Sequence, residues 1–157
     1  MAFTQAEEAM ILKAVDETRV RNTIDRYFHC VDAGDWDLLA TCFTDDACFE
    51  FNLSASEKKI LQGGKVITDY FHDRNRLFRT KTHYVGHAEI AIAGDTAKAD
   101  VYAISNIVIN DRVAIRGLRY ADTLVRGADG NWRFRNRVHL ALWSHYATFV
   151  EPEVPAS

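Results

Sequence analysis

The sequence predicts an α+β fold, a cone-shaped α+β barrel in which N-terminal helices pack on a curved antiparallel sheet around a pocket. Three observations carry this. Val20, Ile24, Tyr27, Phe28 and Val31 recur at helical spacing, one apolar stripe of an amphipathic helix. Four long strand-like runs fill Thr82 to Tyr146, separated by the short turns "AGD", "ND" and "GADGN". Finally, the helices come first and the long runs second. A twisted meander covered on one face by helices curls into a half-open cone with a pocket between the layers.

The elements follow in order. From Gln5 to Val31 the pattern is helical, with Asp16 available to cap its second part. Gly34 ends the helix, and Asp35 starts a short second one, "WDLLATCF". "DDACFEFN" reads as a short strand. "LSASEKKILQGG" is polar and closes on a double glycine, as a loop or an irregular hairpin does. "KVITDYFHDRNRLF" is again helical, with Val66, Ile67, Tyr70 and Phe71 on one side. The runs "THYVGHAEIAI", "AKADVYAISNIVI", "RVAIRGLRYADTLVR" and "NWRFRNRVHLALWSHY" form the meander. In the last run Trp132, Phe134, Val138, Leu140 and Leu142 share one parity, and Arg133, Arg135, Arg137 and His139 share the other. One face is therefore core, unless a bulge swaps the parity partway along. The tail "VEPEVPAS", from about residue 150, carries both prolines and is expected to fray or wrap the surface. Ile104, Val108 and Leu118, assigned to the face away from the helices, predict a homodimer or homotrimer packed through the sheet.

Composition narrows the function classes. A chain of 157 residues holds one well-cored domain. With a formal net charge of −3 a large phosphate-binding surface is not implied, and no nucleic-acid partner is expected. No apolar run approaches the length of a membrane span, and the acidic N-terminus does not read as a signal peptide. The three cysteines, Cys30, Cys42 and Cys48, lack CxxC spacing and read as thiols in a reducing cytoplasm. Neither a P-loop, a dinucleotide glycine motif nor a nucleophile elbow occurs, so no cofactor is expected.

The chemistry-bearing candidates are few. Asp32 lies about 40° round the helix from Phe28. It also sits at the helix C-terminus, where the dipole disfavours an anion. A carboxylate kept there needs a partner, and an imidazole would serve. His83 and His87 share one parity of the first long run, but about 13 Å apart along it, too far to bind one metal ion together. With HExxH absent, no metal site is expected, and His87 falls to the pocket rim or surface. On residues alone, Asp32 and His83 are either a base with its orienter or ordinary polar residues. Trp36, Phe43, Asn106, Tyr120 and Trp143 are candidates to line an apolar pocket for a small hydrophobic, ring-bearing substrate.

The stretches "VDAGDWDLLATCFTDDACFEF", "THYVGH", "GLRYADTLVR" and "DGNWRFRNR" carry a further signal. In this order they resemble the SnoaL-like branch of the nuclear transport factor 2-like superfamily, from about Val15 to Tyr146. That superfamily holds scytalone dehydratase, bile acid 7α-dehydratase, hexachlorocyclohexane dehydrochlorinase, isomerases, polyketide cyclases and non-catalytic binding modules, so the resemblance implies a fold before a reaction. In the bile acid dehydratase and the dehydrochlorinase an aspartate ending the first helix pairs with a histidine beginning the first long strand. The resemblance maps these onto Asp32 and His83, and an arginine near the leaving group onto Arg137. Tyr27 stands where the dehydrochlorinase has lysine and the dehydratases have tyrosine, which implies loss of an oxygen leaving group. The dehydratases use a further partner on the next strand; here that strand offers Ser105 and Asn106. The implied activity is a cofactor-independent lyase. A polyketide cyclase, a ketosteroid-type isomerase or a non-catalytic ligand-binding module are the alternatives.

Overall fold

The computed structural model describes residues 2–52 and 57–151. Helix α1 spans Gln5–Ala33. Its cap is Thr4 rather than Asp16: the Thr4 hydroxyl accepts from the Glu7 N–H while the Glu7 carboxylate accepts from the Thr4 N–H. Asp16 is mid-helix and accepts both arms of Arg126, at 2.9 and 2.7 Å, which ties the helix to the sheet. The stripe from Val20 to Val31 is the buried face. Gly34 takes the left-handed conformation (φ 77°) and donates to the Cys30 carbonyl, ending the helix. Helix α2, Trp36–Ala40, is capped by Asp35, whose carboxylate accepts from the Leu38 N–H.

Strand β1 is Phe43–Asn52 and β2 is Lys58–Gln62, paired antiparallel, so the second part of the polar segment forms a hairpin arm. Residues 53–56 of that segment and 152–157 of the tail lie outside the described residues. Helix α3, Gly64–Asn75, buries Ile67, half-buries Tyr70 and Phe71, and leaves Val66 exposed. The meander is β3 (Thr80–Ala93), β4 (Thr96–Ile109), β5 (Arg112–Arg126) and β6 (Trp132–Thr148). The sheet order is β2-β1-β6-β5-β4-β3, antiparallel except where β1 joins β6 in parallel. The sheet is curved and unclosed, with α1 against β3 and β6, and α3 against β1. Among the described residues no helix is long and apolar enough to cross a membrane.

Bulges decide which side chains enter the cone. On β6, Asn136 pairs with Thr123 and Phe134 with Leu124, leaving Arg135 as the extra residue. Before it Trp132 and Phe134 are buried; after it Arg137 is buried, so the charged parity turns inward and carries His139 with it. On β3, Gly86 and His87 together face the single residue Tyr102. His83 and Val85 are inward, then Ala88, Ile90 and Ile92. His87 is turned out and stacks on Tyr102 with ring centroids 4.8 Å apart. The shared parity of the two histidines in sequence is thus broken by the bulge between them. Of the three residues expected on the convex face, Ile104 is exposed there, Val108 is buried, and Leu118 faces the other way and lines the cavity between sheet and helices.

Candidate active site

A cavity of about 160 Å³ lies between the helices and the concave face of the sheet. The buried stripe of α1 presents Tyr27 and Val31 to it, α2 gives Trp36, and α3 gives Tyr70 and Phe71. Inward positions of the meander supply His83, Ser105, Arg116, Tyr120 and His139.

Asp32 and His83 meet at two points. Asp32 Oδ1 lies 2.6 Å from His83 Nδ1, and Asp32 Oδ2 accepts the His83 backbone N–H at 2.7 Å. The carboxylate thereby holds both the strand start and the ring. The last turn of α1 has no basic residue to offset the dipole, so the imidazole is the partner this carboxylate finds. A ring nitrogen facing a carboxylate carries the proton, which leaves Nε2 with its lone pair. His83 is nearly buried, its side chain 9 % exposed, and its ring packs 5.4 Å from that of Phe28. This arrangement can orient a base and stabilise the imidazolium formed when it takes a proton.

Tyr27 is buried among aromatic rings, and burial pushes its hydroxyl well above the usual phenol range. Arg137 is fully buried, but behind the cavity wall. Its guanidinium carbon lies 3.9 Å from the Tyr27 ring centroid and 4.2 Å from that of Tyr120, both of which line the cavity. Its Nε stands 3.4 Å from Asp122 Oδ1, in a pair with no water access. Direct contact between Arg137 and a leaving group, which the resemblance implied, is therefore corrected: the arginine reaches the cavity through two tyrosine rings. Burial lifts the Asp122 carboxyl to about 7 despite the opposing arginine.

Of the expected lining residues, Trp36 and Tyr120 are in the wall. Phe43 is instead in the core against Phe134, and edges a separate surface cleft beside α2 and α3. Asn106 takes the parity opposite to Ser105 and points away from the cavity. Trp143 lies on the convex face, its indole flat over Gly117, where a Cβ would come within 2.2 Å of Nε1. Trp143 is turned outward by the extra residue Leu142 on β6, and Phe43 sits before the register shift of β1, whereas Asn106 is on a regular stretch of β4 whose alternation alone sets it opposite Ser105.

Sequence reasoning missed His139. Its ring touches those of Phe51 at 5.5 Å and Tyr120 at 5.3 Å, and its Nδ1 is buried without a hydrogen-bond partner among the described residues. Burial first, then Arg137 and Arg116, bring its pKa down to about 4, so the ring is neutral. The available signal was "RFRNRVH", in which charged residues continue the parity of a strand whose other face is already apolar. Among the described residues no cluster of three or more His, Cys, Asp or Glu could hold a metal ion, and His83 and His87 face opposite sides of β3.

With this geometry in hand, the comparisons are specific at the level of fold. The sequence matches the profile described as SnoaL-like domain over residues 13–138. No curated protein sequence matches it significantly. Among solved structures, a candidate scytalone dehydratase from Novosphingobium aromaticivorans superposes with a TM-score of 0.73 at 18% identity, covering 85% of this chain and 88% of the other. The hexachlorocyclohexane dehydrochlorinase LinA-type3 from Novosphingobium barchaimii gives 0.78 at 15% identity, covering 89% and 97%. ActVI-ORFA from Streptomyces coelicolor gives 0.66 at 23% identity, covering 80% and 96%.

Proposed function

The chain belongs to the SnoaL-like domain family, and from that premise we propose that it is a cofactor-independent lyase: it takes a carbon-bound proton from a small ring-bearing substrate and expels an oxygen leaving group. The observation that carries this reading is the two-point Asp32–His83 pair in the cavity wall. His83 Nε2 removes the proton. The imidazolium is stabilised by Asp32, which stays ionised. The electron pair left on carbon forms the double bond as the hydroxyl on the neighbouring carbon departs. Tyr27, kept protonated by burial, donates a proton to that oxygen, so water leaves. The proton on His83 then returns through solvent to the Tyr27 phenolate, and the site is reset. Arg137, stacked behind the Tyr27 ring, lowers the cost of the transient phenolate.

Two structural neighbours bear the names of elimination enzymes, a dehydratase and a dehydrochlorinase, which supports the reaction class without fixing the substrate. The two-point hold on the His83 ring and backbone, in the wall of a cavity that the aromatic side chains leave open, favours an enzyme over a ligand-binding module.

Hydroxylated ring compounds incubated in D₂O and followed by proton NMR test the reading. Loss of a carbon-bound proton signal with growth of an alkene signal is expected, and both should vanish in His83→Ala. Exchange without alkene would assign an isomerase. Ring ligands that bind with neither change would assign a binding module.

A further inference from the structure

The charge of the cavity runs against that of the chain. The protein carries a formal −3, yet the cavity lining contains Arg74, Lys81 and Arg116 and, among the described residues, neither Asp nor Glu. None of the three cations forms an ion pair with a carboxylate among the described residues, whereas the surface arginines Arg119, Arg126 and Arg133 all do. Lys81 is half-buried, and its ammonium donates to the Asn75 side-chain carbonyl, a neutral acceptor. Three cations without an ion-pair partner among the described residues border one concavity, with the Asp32 carboxylate behind His83 acting on Lys81 as the opposing charge, and their excess favours an anion there.

A second observation fixes where that anion sits. In the strand register His83 pairs with Ser105 and Ser105 with Arg116, so the three form one row across the concave face. Ser105 is 1% exposed, lines the cavity, and its hydroxyl has no hydrogen-bond partner among the described residues. A buried hydroxyl in that state takes its partner from the cavity, a water in the free protein and a ligand atom in the complex. Adjacent strands lie about 4.8 Å apart, so Ser105 is one strand from the base and Arg116 one strand further.

We propose that Ser105 and Arg116 form a carboxylate subsite, to whose field Lys81 adds from the cavity wall near Trp36, and that the substrate is a monocyclic β-hydroxy acid. The lyase reading supplies the reacting carbon; the carboxylate subsite itself stands on charge and geometry alone. One ring matches the volume, since the cavity of about 160 Å³ compares with cavities of about 150 Å³ that accept benzene. The ring lies among Trp36, Tyr70 and Phe71. With the carboxylate on Ser105 and Arg116, the α-carbon faces His83. The α-proton goes to Nε2, and its electron pair forms the α,β double bond. The β-hydroxyl leaves as water with a proton from Tyr27. Arg116 and Ser105 hold the charge that builds on the carboxylate as the proton departs.

Calorimetric titration with benzoate, its neutral isostere benzamide and inorganic phosphate tests the subsite without turnover. Benzoate should bind at least about ten-fold more tightly than benzamide and than phosphate, by the usual strength of a charge-assisted pair. Arg116→Gln should erase the preference for benzoate while leaving benzamide affinity unchanged, and Lys81→Gln should reduce it. His83→Gln should keep it, so a failure of the lyase reading and a failure of the subsite give different results. Equal binding of benzoate and benzamide to the native protein, or an intact preference in folded Arg116→Gln and Lys81→Gln, would overturn the subsite. Phosphate binding as tightly as benzoate would overturn the ring acid, and loss of preference in His83→Gln would move the anion to the histidine.

Discussion

Burial holds His139 at a pKa of about 4, against an ordinary 6.5 for a histidine in water. Between those values the unfolded chain binds a proton that the folded chain refuses, so this group's contribution to stability is lost as pH falls from 6.5 through 4. Asp122 acts in the opposite sense. Its carboxyl is raised from 3.8 to about 7, so its contribution is present in acid and is lost as pH rises through that range. The two slopes oppose each other in mildly acidic buffer. His139→Asn removes one of them. Its melting temperature should therefore fall less than that of the native protein, or rise, between pH 6.5 and about 4.5; parallel curves would contradict the buried neutral histidine. Tyr27 gives a second prediction at this scale. Tyr27→Phe removes a proton donor worth on the order of 10²-fold in rate, and the loss should grow as the leaving group becomes more basic. A leaving-group-independent loss would confine Tyr27 to packing. In the sequence Asp32 and His83 stand out by their positions at a helix end and on a strand, but it is the resemblance that pairs them and singles out Tyr27. His139 carries only the weaker signal of "RFRNRVH", since its direction depends on the extra residue Arg135 of its own strand.

The helices were legible because a 3.6-residue period survives whatever packs on it: the stripe from Val20 to Val31 is the buried face of α1. The strands of the meander were legible from length and short turns. Their facing was not, because a bulge changes direction without changing composition. Arg135 turned Arg137 and His139 inward, and Gly86 with His87 reversed the second part of β3. Nor did the double glycine read as more than a turn. Gly64, the first residue of α3, lies against β1 so closely that a Cβ would be 2.7 Å from the Thr44 carbonyl oxygen. That neighbour is backbone and cannot swing away. Gly64→Ala should cost about 1–3 kcal/mol, the usual range for overpacking, seen as a lower urea midpoint with an unchanged slope. An unchanged midpoint would mean that α3 is free to move off β1.

On the scale of the whole molecule, the convex face of the sheet is left uncovered. Tyr84, Ile104, Gly117 and Trp143 follow one another across β3, β4, β5 and β6 in register. Tyr84, Ile104 and Trp143 are 67%, 42% and 50% exposed, and Leu142 and Tyr146 beside them 51% and 52%. We propose that a second copy covers this face, giving a homodimer or homotrimer. Sedimentation velocity at micromolar concentration should show the oligomer, and Ile104→Lys should shift it toward monomer; a monomeric native protein would refute the proposal. The concave face carries the central claim: folding joins a helix end and a strand start 51 residues apart, and we propose that the pair works as one catalytic unit. The most direct measurement is a double-mutant cycle on turnover of the elimination substrate, with His83→Ala, Asp32→Asn and the pair. Each single change should lower the rate by about 10²–10⁴-fold, and the double variant should be no slower than the worse single one. A folded His83→Ala protein with full activity, or losses that multiply in the double variant, would contradict it.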